Sequence, residues 1–369
     1  MHIGSSSHYA SPFLPLSRPF CCIFIKSICI FIHAHKTSFG SGLATMVANP
    51  IAAFAAFSCS TDVMIDAPKD AAIEFSNLFV ENSTRAAVDI TKDNIENFGV
   101  FGWVESDDKQ GQIFSNTTVY KQDGNFIYDT PQYWIGGAQY YFAALAPKKG
   151  AAWTYTPAQN DALYGTIFFD NDAANAEQDV VFDFVTPERT PENITSKPSA
   201  VAFNFRHILS RVKFSFKNGF AASSNISLDV NSVVIKNAYA NGTIDVAEGV
   251  LAQNWNPAGN MEVIFGDSTI ENSTQSTIYP GDTAKTAHLY LIPGSKTYNV
   301  EFKITLYQAG IELAHYSRTA TVTVNMERGK SYELKATLNQ NNTADHGELS
   351  PIEFTVGNID GWNGENSNL

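Results

Sequence analysis

The sequence predicts an all-β protein made of two tandem β-sandwiches. Three observations carry this. From about residue 70 onward, apolar residues recur with a period of two, the spacing of a strand with one buried face. Short apolar runs alternate with Gly, Pro, Asn and Asp at regular intervals, as in sandwiches. Aromatics make up 12% of the 369 residues, with 26 Phe and 15 Tyr, which strands favour. The hydrophobic fraction of 44% suffices for a core, and the 17% charged is too little for a disordered chain.

The elements follow in order. Residues 71–80 read as a first strand, with Ile73, Phe75 and Phe79 as its large apolar residues. Residues 98–104 read as a second. Residues 117–121 and 126–128 flank Asp123-Gly124, a hairpin turn signal. Residues 139–147 set Tyr140, Phe142 and Ala144 against Tyr141, Ala143 and Leu145, and stop at Pro147. Alternation returns at 179–185, 200–205 and 211–216. Residues 232–246 carry a second predicted turn at Asn241-Gly242. Strand-like runs at 287–293, 298–307, 318–324, 331–338 and 351–359 complete the chain. A short helix is predicted within 89–98, and 206–212 reads either way. Roughly fifteen to eighteen strands exceed one sandwich. The stretch 186–199, with Pro187, Pro191 and Pro198 and no apolar run, is the predicted linker. The expected division is therefore 60–199 and 200–369.

Residues 1–59 are a different material. They hold no Asp or Glu, and their only Lys or Arg residues are Arg18, Lys26 and Lys36. All four cysteines, Cys21, Cys22, Cys29 and Cys59, lie here, without zinc-site spacing or a disulfide framework for the body. Two apolar stretches, 20–33 and 44–57, are too short or too interrupted to span a membrane and suit a signal peptide. The second ends at Ser58-Cys59-Ser60 and resembles a bacterial lipoprotein signal, although Ala56 and Phe57 depart from that pattern. Lipidation at Cys59 is the expectation, with ordinary signal cleavage nearby as the alternative. Met46 is a candidate start.

The formal charge of −13 argues against a nucleic-acid partner, since phosphates need a basic face. No catalytic constellation appears, so neither an enzyme nor a cofactor is expected. His207, His288, His315 and His346 are scattered and read as structural or surface residues. Gly329-Lys330-Ser331 lacks the earlier glycine of a phosphate loop, because position 324 is Val324. No G-x-S-x-G occurs. Asp170-Asn171-Asp172 could attract calcium, but it lacks the rest of an EF-hand and reads as a solvated loop. Seven N-x-S/T triplets, at Asn82, Asn116, Asn193, Asn225, Asn241, Asn272 and Asn341, read as polar loops beside a bacterial signal. Tyr133 with Trp134, Tyr140 with Tyr141, and Trp153 with Tyr155 are candidate sugar-binding strips, of which alternation buries at least half.

Several segments together resemble the fimbrillin family of Bacteroidales, the Mfa-like and FimA-type pilins. They are 73–86, 90–103, 128–147, 201–216, 289–306, 327–338 and 352–362, so the resemblance covers roughly 59–362. It implies transthyretin-like sandwiches, export as a surface lipoprotein anchored in the outer membrane, and assembly with other pilin subunits into adhesive fimbriae. It also implies an arginine-specific protease that cuts between Arg85 and Ala86 and removes the 71–80 strand. A strand from the next subunit would then complete the sheet. The C-terminal run with Ile352, Phe354 and Val356 is either that donor or the last strand of the second sandwich. The rival reading is a non-polymerising surface lipoprotein that binds glycans or host ligands.

Overall fold

The structure is a computed structural model. It describes residues 71–76, 78–80, 89–159, 161–174, 176–343, 350–357 and 360–361, all inside one compact unit, Met64–Leu369. The described chain is almost entirely β. Its helices are single turns at Asn171–Ala174, Ala222–Ser224 and Gln340–Thr343.

Four sheets form. The first runs in the order Phe79–Val80, Asn204–His207, Val181–Val185, Gln139–Ala146, Asn97–Glu105, Gln110–Gln122, Asn125–Ile127. The second sheet lines up Val250–Leu251, Asn241–Ala247, Asp161–Asp170 and Trp153–Ala158, with Asn256–Ala258 also on Asn241–Ala247. In the third, Ser210–Asn218 pairs in parallel with Lys330–Leu338, and Thr355–Val356 closes one edge. The fourth is antiparallel: Met261–Gly266, Ile226–Ala238, Gly294–Gln308, Ile311–Met326.

The alternation in 139–147 shows why the sheets stack. Tyr140, Phe142, Ala144 and Ala146 enter one core, while Ala143 and Leu145 enter another. The first sheet is thus buried on both faces. One face meets the second sheet, with Phe101 edge-on to Tyr155 at 4.9 Å between ring centroids. The third and fourth sheets make a separate core, where Phe214 meets Phe265 at 4.8 Å and Phe216 meets Phe302 at 5.2 Å.

Some local expectations hold. Asp123 (φ 50°) and Gly124 (φ 82°) both take the left-handed conformation, the requirement of a tight hairpin turn that twists with its strands. Others change. Residues 186–199 do not link two sheets; they join two neighbouring antiparallel strands of the first sheet, Val181–Val185 and Asn204–His207. A proline-bearing run serves as an ordered crossing loop when its polar groups are pinned. Thr190 is buried; its hydroxyl donates to the Ile135 carbonyl at 2.5 Å and accepts from the Ala138 N–H at 2.8 Å. The chain reaches the third sheet through Ile208 and Leu209 instead.

Asn241-Gly242 is not a turn. It opens a strand that pairs with Asp161–Asp170, so the second sheet draws strands from both sides of residue 200. Glycine serves close approach here: a Cβ at Gly242 would lie 3.2 Å from Ile292 and 3.3 Å from the Asn256 carbonyl. Residues 92–94 form a turn rather than a helix, with the Ile95 N–H on the Thr91 carbonyl at 3.0 Å.

Candidate functional site: the seat of the N-terminal segment

Residues 71–80 lie in a groove of the first sheet's outer core. Ala71, Ile73 and Phe75 point inward, then the phase slips, and Leu78 and Val80 point inward. Phe79, expected beside Ile73 and Phe75, is 49% exposed. The slip falls between Phe75 and Leu78; the bonds to 132–134 end before it, while the 201–205 edge continues past it. Before it, the Ile73 N–H donates to the Gln132 carbonyl at 2.8 Å, and the Trp134 N–H donates to the Ala71 carbonyl at 2.9 Å. On the opposite side, the Val201 N–H donates to the Glu74 carbonyl at 2.7 Å and the Ser76 N–H to the Val201 carbonyl at 3.1 Å. Beyond it, Phe79–Val80 pairs in parallel with Asn204–Phe205.

Phe75 is the anchor. It is 2% exposed, and five rings surround it at 5.6–6.1 Å: Phe98, Phe114, Tyr128, Phe142 and Phe203. Such pairs add about 0.5–1.5 kcal/mol each beyond area burial. The Tyr128 hydroxyl donates to the Ile73 carbonyl at 2.7 Å, and burial raises its pKa, so it stays a donor. Four large side chains, Ile73, Phe75, Leu78 and Val80, are buried; at about 1.5–3 kcal/mol each, they contribute roughly 6–12 kcal/mol as an upper estimate. Glu74 faces out and meets Lys197 at 2.6 Å, an exposed pair of little weight. Beside the segment a cleft of about 690 Å³ opens toward Asn125 and Phe126.

Cys59, Arg85 and Ala86 lie outside the described residues. The next described residue is Asp89, which is fully buried. One Asp89 carboxylate oxygen pairs with Arg211, and the other accepts from the Tyr290 hydroxyl at 2.7 Å. Burial pushes the Asp89 pKa up, against the pull of Arg211 and Tyr290. The Arg211 Nε donates to the Ser331 hydroxyl at 3.2 Å. The next residue, Ile90, donates its N–H to Asp179 at 2.8 Å, and Asp179 also holds His207 Nδ1 at 3.0–3.1 Å. This cluster was not legible from residue types, because Asp179 ends a run that reads as solvated and Asp89 precedes a polar turn. Only the 122-residue separation of Asp89 and Arg211, closed by the fold, brings it together.

The C-terminal run packs on the third sheet. Phe354 lies 5.3 Å from Phe214, 5.9 Å from Phe216 and 6.1 Å from Phe302. Ile352 is buried, but Val356, expected on the same face, is 38% exposed. Of the aromatic strips, Trp134, Tyr140, Trp153 and Tyr155 belong to cores, whereas Tyr133 and Tyr141 reach solvent. Among the described residues no group of three or more His, Cys, Asp or Glu could hold a metal ion. In the 170–179 run, Asp170 caps the Ala173 N–H and Asn171 is buried, while Asp172 and Glu177 stay exposed.

The fold is similar to several crystal structures of Bacteroidales proteins. One is a "putative cell adhesion protein" from Bacteroides ovatus, 17% identical, covering 79% of this chain and 97% of that chain with a TM-score of 0.45. A second, of the same description, is from Bacteroides uniformis, at 14% identity, 80% and 99% coverage and a TM-score of 0.42. A third, from Parabacteroides distasonis, has 12% identity, 80% and 96% coverage and a TM-score of 0.42. A comparison with curated proteins finds no match. The family model described as fimbrillin-like matches residues 84–358, well over half of the sequence. The all-β sheets and this match lead to one conclusion: the chain belongs to the fimbrillin-like family.

Proposed function

We propose that this protein is a structural or tip subunit of a cell-surface fimbria, exported as a lipoprotein through Cys59 and assembled by strand exchange. As a fimbrillin-like chain it is an adhesion-related surface protein. The observation that carries the finer reading is the seat of residues 71–80. The segment is bonded along both edges, Ile73, Phe75, Leu78 and Val80 fill a groove, and it sits just upstream of Arg85 in the chain.

While covalently attached, the segment competes at an effective concentration of order millimolar. A donor strand from another subunit gains little against that. Cleavage between Arg85 and Ala86 turns the segment into a separate peptide that can dissociate. The groove then offers open backbone groups at 132–134 and 201–203 to an incoming strand. In sequence the new N-terminus is three residues before Asp89, which is fully buried. Head-to-tail donation gives an open filament rather than a closed ring. The C-terminal run around Phe354 serves as donor only if it leaves the third sheet first.

The test is the intact mass and N-terminal sequence of the protein from cell-surface material, followed by treatment of the purified precursor with an arginine-specific protease. A chain beginning at Ala86, and a ladder of polymers after treatment, are expected. A chain that begins at a lipid-bearing Cys59, keeps residues 71–80 and stays monomeric after treatment would overturn polymerisation in favour of a non-polymerising surface binder.

A further inference from the structure

A second cleft lies away from the N-terminal segment, at one open end of the space between the first and second sheets. Its volume is about 450 Å³. Trp103 and Tyr141 are direct cross-strand partners and flank it from the first sheet. Both are part-buried, as ring faces at the mouth of a core would be. Glu105 lies two residues beyond Trp103 on its strand, opposite Gln110 in the neighbouring strand. Asp161 and Leu163, from the second sheet, line the cleft from the other side. Glu105, Gln110 and Asp161 are all exposed.

The hydrogen bonding leaves this rim largely available. Asp161 Oδ1 accepts from the Leu163 N–H at 3.0 Å. The Tyr141 hydroxyl reaches Glu105 Oε2 at a long 3.4 Å. Burial raises the Tyr141 pKa and the nearby carboxylates raise it further, so the hydroxyl remains a proton donor at neutral pH. Neither carboxylate has an ion pair among the described residues.

We infer that this cleft binds a neutral saccharide of one or two rings, seated against Trp103 and Tyr141 and held through its hydroxyls by Glu105, Gln110 and Asp161. The chemistry excludes the other classes in turn. Anionic ligands would meet two carboxylates, against the charge of Arg189 alone, the smallest of the influences on Tyr141. A purely apolar ligand would strip water from three polar side chains and leave them unpaired. A lone ammonium or guanidinium would suit the charges and rings, but the volume is that of a pocket for a whole small molecule, about 300–1,000 Å³. A sugar ring uses every feature: its C–H face covers an aromatic ring, and its hydroxyls donate to the carboxylates and accept from Tyr141 and the Gln110 amide. Nothing here depends on whether the subunit polymerises.

Saturation-transfer NMR on the full chain, with maltose, cellobiose, lactose and N,N′-diacetylchitobiose as probes, tests it. At least one is expected to give a saturable signal. Glu105→Gln and Tyr141→Ala should each weaken that binding tenfold or more, while Ile264→Ser, on a distant exposed strand position, leaves it unchanged. Glu105→Gln keeps the side chain's size at an exposed site, so it reports on binding even if Tyr141→Ala perturbs the fold. No saturable signal from any of the sugars would overturn the proposal. So would binding that neither variant weakens, or a saturable signal from N-acetyl-lysine amide with none from the sugars.

Discussion

Asp89 and Arg211 form a buried ion pair across 122 positions of sequence, tying the chain after the N-terminal segment to the central strand of the third sheet. The guanidinium is only 4% exposed and the carboxylate not at all. Charges taken this far from water hold only while every partner is present. Removing Asp89 takes the carboxylate from a guanidinium that stays buried, which costs more than the pair itself contributes.

Asp89→Ala is therefore expected to destabilise the protein by about 3–5 kcal/mol. Chemical denaturation of the single and double variants measures it. Adding Arg211→Met should recover much of the loss, because an apolar replacement of both charges removes the buried guanidinium charge that Asp89 balanced. Equal stability of the single and double variants would contradict this account.

Phe75→Ala should loosen the N-terminal segment. Deleting a buried Phe ring costs about 3–5 kcal/mol, equivalent to a hundredfold or more in the opening equilibrium. Amide exchange at Ile73, Ser76 and Phe79, whose N–H groups bond to Gln132, Val201 and Phe203, should quicken by that factor. Exchange in the fourth sheet, around Val300 and Ile304, should stay unchanged.

Thr190→Val tests whether residues 186–199 are a clamped loop. Valine keeps the shape and loses both hydroxyl bonds, leaving the Ile135 carbonyl and the Ala138 N–H short of a partner. A loss of about 1–3 kcal/mol is expected in thermal or denaturant unfolding. A loose linker would show none.

His288 sets a pH dependence. Burial, with Arg211 and Lys213 nearby, pushes its pKa from 6.5 down to about 3. Glu333 opposes this weakly, and Lys285 adds to it. The unfolded chain takes up a proton as pH falls through 6.5, while the folded chain resists until about 3. Stability from this group is thus complete above pH 6.5 and declines on acidification across that window. His288→Gln should flatten the fall in unfolding free energy between pH 6.5 and 4; an unchanged slope would assign the acid sensitivity to other groups.

Periodicity carried most of the fold. The alternation at 139–147 assigns each side chain to its face, and the Asp123-Gly124 turn is specified by two residues that tolerate positive φ. What it could not carry depends on neighbours distant in sequence. Gly242 looks like a turn residue because the side chain it must avoid, Ile292, is 50 positions away in numbering. Asp179 looks solvated because His207 reaches it only after a sheet has formed. Along 71–80 strict alternation sets Phe79 beside Ile73 and Phe75, and the phase slip before Leu78 turns it out to solvent. The Trp103–Tyr141 cleft was half visible: Tyr141 stood out as an aromatic candidate, but its partner ring comes from another strand.

The second sheet has a consequence for how this architecture can diversify. Asp161–Asp170 pairs with Trp153–Ala158 along one edge, but its other edge is covered only by Asn241–Ala247, supplied by the far half of the chain. A gene cut near codon 200 would yield a first half with Ile167 and Phe169 beneath an unpaired edge, and a second half carrying an orphan strand. The halves cannot be shuffled between relatives as independent cassettes. Each half therefore depends on strands of the other to close the second sheet.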